Sequence, residues 1–221
     1  MRPQGLSLFL AASSLSLPFS TPAQQTDAVI VTASRFPEKA LSAPIGMTII
    51  NERQIRESAA LDLPGLLAQE AGFIVRDSTG SPDRQVDLRG FGAAADQNSV
   101  VLINGRRLNE IELVSVRWSS IPLESVERIE ILRGSGAVLY GSGATGGTIN
   151  IITRGATPGE TRATLRASNG SLGARELGGG ISAANEQLGV ALRFNDQSAD
   201  NYRLNNRFVQ KNVDGELRLF G

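Results

Sequence analysis

Residues 121–154, IPLESVERIEILRGSGAVLYGSGATGGTINIITR, place two β-prone runs on either side of a glycine-rich stretch. Val126–Leu132 predicts one strand and Thr148–Thr153 a second, richer in β-branched residues. Between them, Gly141-Ser142-Gly143-Ala144-Thr145-Gly146 spells the G-x-G-x-x-G of a dinucleotide site. That chemistry needs a helix to follow, so that its N-terminus meets the pyrophosphate. Here a strand composition follows instead, and no Gly-Lys-Ser/Thr stands nearby to make a P-loop. Glu160, near the distance of a ribose acceptor, opens a strand after the Pro158-Gly159 turn. These glycines are therefore expected to turn the chain and to let backbone approach backbone. Glu124, Glu127 and Glu130 recur every third residue and suggest an acid/base or metal cluster. With Arg128 and Arg133 flanking Glu130, ion pairing is the expected role.

Working toward the N-terminus, Gly46–Asn51 reads as a strand, and Glu52–Ser58 and Asp62–Gln69 have helical spacing. Asp62 is placed to cap the second helix, and Pro64 is tolerated in its first turn. Phe73–Val75, Val86–Arg89 and Val100–Ile103 read as strands, with Asn104-Gly105 a turn signal. Residues 41–154 are thus expected to form an α+β domain, a small mixed sheet with short helices. Within it Leu88-Arg89-Gly90-Phe91-Gly92 runs from a strand into a glycine loop. Arg89 is either a solvated arginine or a buried charge-pairing one, and the sequence does not choose between them.

Beyond residue 155 the pattern changes. Ala163, Leu165 and Ala167 alternate with Arg162, Thr164, Arg166 and Ser168. Leu177, Gly179, Ile181 and Ala183 alternate with Glu176, Gly178, Gly180 and Ser182. Leu188, Val190, Leu192 and Phe194 alternate with Gly189, Ala191, Arg193 and Asn195. Val213, Leu217 and Leu219 stand against Asp214, Glu216 and Arg218. Four strands of about nine residues suit a tilted bilayer crossing, and apolar-out, polar-in alternation is the mark of a transmembrane barrel. The connections are a turn near Gly170, a tight turn at Asn185–Gln187, and a polar loop of more than ten residues from Gln197. The alternative is a half-buried sheet in a soluble periplasmic binding module. Four strands cannot close a spanning barrel, so either residues 155–221 are the first strands of an incomplete barrel belonging to something longer, or they are not membrane-inserted.

Composition and the N-terminus agree with an exported protein. Arg2, the apolar run Leu6–Leu17 and the small residues Thr21 and Ala23 have the layout of a signal peptide over residues 1–23. Residues 24–40 are polar around the β-prone Val29–Thr32, which predicts a flexible arm with a latent strand. The chain has no Cys and no His, which excludes disulfides, thiolate metal sites and His-based catalysis. With 22 basic and 22 acidic residues, it lacks the positive excess that nucleic-acid binding requires. No catalytic residue, cofactor or metal site is expected.

At this point the residues resemble the TonB-dependent receptors of Gram-negative outer membranes. Asp27-Ala28-Val29-Ile30-Val31-Thr32-Ala33 is similar to the family's TonB box, Leu88–Gly92 to the R-G-F motif of its plug, and residues 121–154 to its most specific plug motif. Ala71-Gly72 stands where the family usually has Pro-Gly, and Asn104-Gly105 where it has Asp-Gly; both keep turn chemistry. The family's barrel has about 22 strands around a plugged lumen, far more than this chain carries. The resemblance implies an outer-membrane receptor for energised uptake of a ferric siderophore, haem or cobalamin, with the plug and N-terminus accessible from the periplasm. Its partners would be TonB, paired with residues 27–33 by β-augmentation, outer-membrane lipid and the metal chelate or cobalamin. Arg89, Glu130 and Arg133 are then expected as plug-side charges. Outward-facing loops at Thr79, Gly80, Ser81, Pro82 and Asp83, and at Phe91, Gly92, Asp96, Gln97 and Asn98, are expected to meet the substrate.

Overall fold

The computed structural model describes residues 46–78, 80–108, 116–134, 142–201 and 205–221, together with the backbone of residues 30–31 and 38–39. The two N-terminal pieces form a short antiparallel ladder. In it β1 (Ile30–Val31) pairs with β2 (Glu38–Lys39), Ile30 opposite Lys39 and Val31 opposite Glu38.

The N-terminal domain is built on a five-stranded mixed sheet. Its members are β3 (Met47–Ile50), β6 (Ser99–Ile103), β7 (Arg106–Arg107), β8 (Val126–Arg133) and β9 (Gly147–Thr153), in the order β3-β8-β9-β6-β7. Only the β6–β9 pairing is parallel. A separate hairpin joins β4 (Phe73–Arg76) to β5 (Gln85–Leu88). Ile129 and Ile131 of β8, Ile149 and Ile151 of β9, and Leu63, Leu67 and Leu88 around them are buried in one core. Burial of such side chains is the main favourable term holding the domain together, about 1.5–3 kcal/mol for each.

Local chemistry sets the element ends. The first helix, α1 (Glu52–Glu57), starts where Asn51 leaves the strand. Gln54 N–H donates to the Asn51 side chain, and Asn51 N–H donates to the Gln54 side chain, a reciprocal cap. The predicted strand thus stops at Ile50 because Asn51 is the helix cap. Helix α2 (Leu63–Leu67) is capped as expected, with Gly65 N–H donating to Asp62. Asn104 and Gly105, both at positive φ, make the turn between β6 and β7. A one-turn helix, α3 (Ala95–Asn98), is not signalled by any periodic pattern.

The glycine stretch leads into β9 and not a helix, which removes the dinucleotide reading. A Cβ on Gly146 would lie 2.9 Å from the Asn98 carbonyl oxygen, 3.0 Å from that of Leu88 and 2.9 Å from the Phe91 ring. The close backbone approach expected from sequence is therefore present at Gly146.

The C-terminal residues form a four-stranded antiparallel meander: β10 (Thr161–Asn169), β11 (Arg175–Ala184), β12 (Leu188–Ala199) and β13 (Phe208–Leu219). The last two strands are longer than the expected nine residues. Where a long loop is expected from Gln197, polar residues extend the ladder as far as Ala199 opposite Phe208. An ion pair, Asp196 to Lys211 at 3.1 Å, lies across that extension. No amphipathic alternation marks strand that projects beyond an apolar belt.

The two faces of the meander are chemically opposite. Leu165, Gly179, Phe194 and Val213 are cross-strand neighbours on one face, and Ala163, Ile181, Leu192 and Gly215 form the next row. This apolar face is exposed: Leu165 retains 78% of its accessible surface and Val213 85%. The other face carries Arg162, Arg166, Arg193, Asn195, Asn212 and Glu216, and it is the one that packs against the N-terminal domain. A soluble half-buried sheet would bury the opposite face.

Candidate functional site

The contact between the N-terminal domain and the meander is polar. Arg154, which follows β9, donates to Glu52 of α1 at 2.9 Å and to the Glu124 carbonyl at 3.3 Å. Arg162 of β10 lies 3.9 Å from the same Glu52 oxygen. From β12, Arg193 donates to the Arg154 carbonyl and pairs with Asp214 at 2.7 Å. From β13, Asn212 Nδ2 donates to the Ser119 carbonyl at 3.0 Å. A cavity of about 300 Å³ between the two parts is lined by Asn104 and Arg106 on one side and Asn195, Asn212 and Glu216 on the other. Such a boundary holds a domain in place without the apolar burial that would make it permanent.

Within the N-terminal domain, Asp87 organises the loop that follows β5. Its side chain is fully buried. It accepts from Arg76 at 2.7 Å and from the backbone N–H groups of Gly90, Phe91 and Gly92 at 3.0, 2.8 and 2.8 Å. Burial alone would push this carboxyl up, but the Arg76 guanidinium and the loop N–H groups together hold it below its ordinary value of 3.8. Glu124 is shifted the other way. Burial raises it and the neighbouring Glu176 adds to the rise, against the opposing pull of its own backbone N–H and of the Arg166 charge.

A plug domain that seals a barrel requires a polar, separable boundary of this kind and a lipid-facing outer surface on the strands beyond it. The family profile described as "TonB-dependent Receptor Plug Domain" matches residues 39–148, the segment containing the five-stranded sheet. The chain belongs to the TonB-dependent receptors.

Among curated relatives, the "Vitamin B12 transporter BtuB" of Photobacterium profundum is 34% identical over 216 residues, covering 94% of this chain and 34% of its own length. The "Ferrienterobactin receptor" of Escherichia coli is 35% identical over 152 residues, 62% of this chain and 19% of that one. Among solved structures, the siderophore receptor PirA from Pseudomonas aeruginosa superposes with a TM-score of 0.59 at 26% identity, over 79% of this chain and 32% of its own. The chain thus spans about a third of the length of the B12 transporter it matches. The names of these relatives are those of transporters and receptors, not enzymes.

In the receptor, the residues singled out from sequence take different positions. Of the residues likened to a TonB box, Ile30 and Val31 lie in β1, while Asp27, Ala28, Val29, Thr32 and Ala33 fall outside the described residues, as does Thr79. Glu130 is fully buried and pairs with Arg128 at 3.0 Å; Asn150 Nδ2 donates to its other oxygen at 3.3 Å. Arg133 projects to the opposite side of β8, donating to the Thr48 hydroxyl and, at 2.9 Å, to the Ala71 carbonyl. Arg89 is exposed at φ +77° and has no ion pair among the described residues. The charge pair of this loop is Asp87 with Arg76, which the sequence reading passes over. The signal available is an acidic residue in a strand run just before Arg-Gly-Phe-Gly.

The expected substrate loops are partly self-satisfied. Asp83 accepts from Ser119 N–H at 2.8 Å, its own N–H donates to Ser81, and Gly80 N–H donates to Asp77. Asp96 accepts from Gln85 at 3.0 Å, and Asn98 donates to the Ala94 carbonyl at 2.8 Å. Phe91 and Gly92 are half-buried beside the Asp87 carboxylate, and Gln97 is exposed. Pro82, with Leu61 and Asp62, lines a cleft against the 168–176 end of the meander and Phe208. Gln85 of β5 holds the second loop through Asp96, and Pro82 takes the first to the meander.

Proposed function

We propose that this chain supplies the plug and the first wall strands of an outer-membrane receptor for the energised uptake of a scarce metal chelate, a ferric siderophore, haem or cobalamin. Residues 24–40 act as the TonB-contacting arm, 41–154 as the plug and 155–221 as wall. The observation that carries this reading is the two-faced meander: its charged face lies on the plug domain and its apolar face is free for lipid. The short turn at Asn185–Gln187 faces the periplasm and the longer loops face outward, so the cleft at Pro82 opens toward incoming substrate. TonB pairs with residues 27–33 by adding a strand, main-chain hydrogen bonds supplying the affinity. Arg89, Glu130 and Arg133 act as plug-side charges, Glu130 and Arg133 within the plug and Arg89 toward wall carboxylates. The names of the relatives support cargo of the cobalamin or ferric-siderophore kind.

The test is uptake of labelled cobalamin, ferric enterobactin and haem by cells with and without the gene, each repeated with the proton-motive force collapsed. The account predicts one cargo whose uptake needs both the gene and the force. Gene-independent uptake of all three, with the chain recovered in a detergent-free periplasmic extract, contradicts it.

A further inference from the structure

The plug meets the wall at one place where a carboxyl enters a gap in the sheet. Arg166, Gly178 and Asn195 are cross-strand neighbours on the inward face of β10, β11 and β12. The two flanking residues carry long or polar side chains, and the middle one carries none. A Cβ on Gly178 would lie 2.7 Å from Glu124 Oε1 and 3.1 Å from Asn195 Oδ1. The glycine therefore leaves a notch, and Glu124, carried on the turn before β8, reaches into it.

The polar groups in this notch do not satisfy one another as charges. Asn195 is 1% exposed, yet neither atom of its amide makes a hydrogen bond among the described residues; the same holds for Glu124 Oε2 and Arg166 Nε. Buried polar atoms left in this way are costly, so a group of them at one spot calls for a partner. Glu124 Oε1 and Asn195 Oδ1 both lie beside the space a Gly178 Cβ would fill, and a neutral carboxylic acid there, unlike a carboxylate, has an O–H to offer the amide oxygen.

We propose that Glu124 is the plug's seating residue, held in the Gly178 notch as a neutral acid paired with the Asn195 amide, and that loss of its proton loosens the plug from the wall. The charged groups around it come from every neighbouring element. Arg166 and Arg162 of β10, Glu176 of β11 and Arg193 of β12 face it from the wall. Arg154 after β9, with Glu52 and Arg56 of α1, face it from the plug side. Arg166 is 3.5 Å from Glu176, so its charge is shared. Burial favours the neutral form of Glu124. Seating is then firm below the carboxyl's ordinary value of 4.5 and weakens as the pH rises through the raised value.

The proposal rests on the plug-and-wall reading, and its test is separable from that one. Trp118 is the only tryptophan of the chain, is buried in the plug and lies beside the Ser119 carbonyl that Asn212 contacts. Its fluorescence therefore reports urea unfolding of the plug in the intact chain. The wild-type midpoint is expected to fall as pH rises above about 4.5, the ordinary carboxyl value; in Glu124→Gln it is expected to be flat over the same range. Gly178→Ala lowers the midpoint when Glu124 is present and has a clearly smaller effect in Glu124→Ala, where Asn195 alone crowds the notch. Additive effects of those two substitutions, or a Glu124→Gln profile that follows wild type, overturn the proposal. If Gly178→Ala does not fold, infrared spectra decide. A neutral-carboxyl stretch in wild type that vanishes in Glu124→Gln supports it, and identical spectra overturn it. Failure of the plug-and-wall reading would appear elsewhere, as a chain recovered without detergent.

Discussion

The Arg76 guanidinium lies 2.7 Å from the buried Asp87 carboxylate, whose same two oxygens also hold the N–H groups of Gly90, Phe91 and Gly92. One side chain thus fixes the β4–β5 hairpin and the glycine loop beyond it, the segment that carries the family's R-G-F resemblance. Asp87→Asn keeps the shape and removes the charge. Hydrogen bonds to a charged group contribute about 1.5–3 kcal/mol each, so a loss of that order is expected in plug stability, read from the urea midpoint by Trp118 fluorescence. Hydrogen exchange should rise first at residues 90–92.

The same site sets an acid limit. Because the folded-state value of Asp87 is depressed, its contribution is present above the ordinary value of 3.8 and is lost as the pH falls through the lowered one. Plug stability should therefore drop at the acid end in wild type and less in Asp87→Asn. Parallel acid profiles for the two proteins would rule out this role for Asp87.

Gly146 packs against the carbonyls of Asn98 and Leu88, where even a methyl group has no room. Gly146→Ala should cost about 1–3 kcal/mol by overpacking, while ATP or NAD added to wild type should leave its melting temperature unchanged. A nucleotide-induced rise would revive the phosphate-binding reading of the motif.

How much of this could be read in the sequence depends on how local the physics is. The Asp62 cap, the Asn104-Gly105 turn and the alternation of β10–β13 are written in neighbouring residues, and they appear where expected. The exposed face of the meander also follows, because Leu165, Ile181, Leu192 and Val213 sit at alternate positions along their own strands. Asp87 and Glu124 are not legible in the same way. Their roles depend on Arg76 and Gly178, which come close only after the hairpin and the meander have formed. Arg133 misleads for the opposite reason: it stands near Glu130 in sequence, but three positions along a strand put the two side chains on opposite faces. The reach of β12 to Ala199 is hidden because strand above an apolar belt needs no apolar face.

For the N-terminal arm, β1 uses Ile30 and Val31 in a ladder with Glu38 and Lys39. Val31→Pro removes a ladder donor, so pairing with TonB should be lost, as measured by disulfide cross-linking or by calorimetry with the TonB C-terminal domain. Unchanged affinity would remove residues 27–33 from the contact.

The central claim is that one face of residues 161–219 meets lipid while the other holds the plug, and the absence of cysteine makes it directly measurable. Single cysteines placed in turn at residues 188–195, spin-labelled in membranes, report oxygen accessibility from the lipid phase. The account predicts a period of two, high at residues 188, 190, 192 and 194 and low at 189, 191, 193 and 195. Uniform accessibility along the strand, or a maximum on the odd positions, would contradict it.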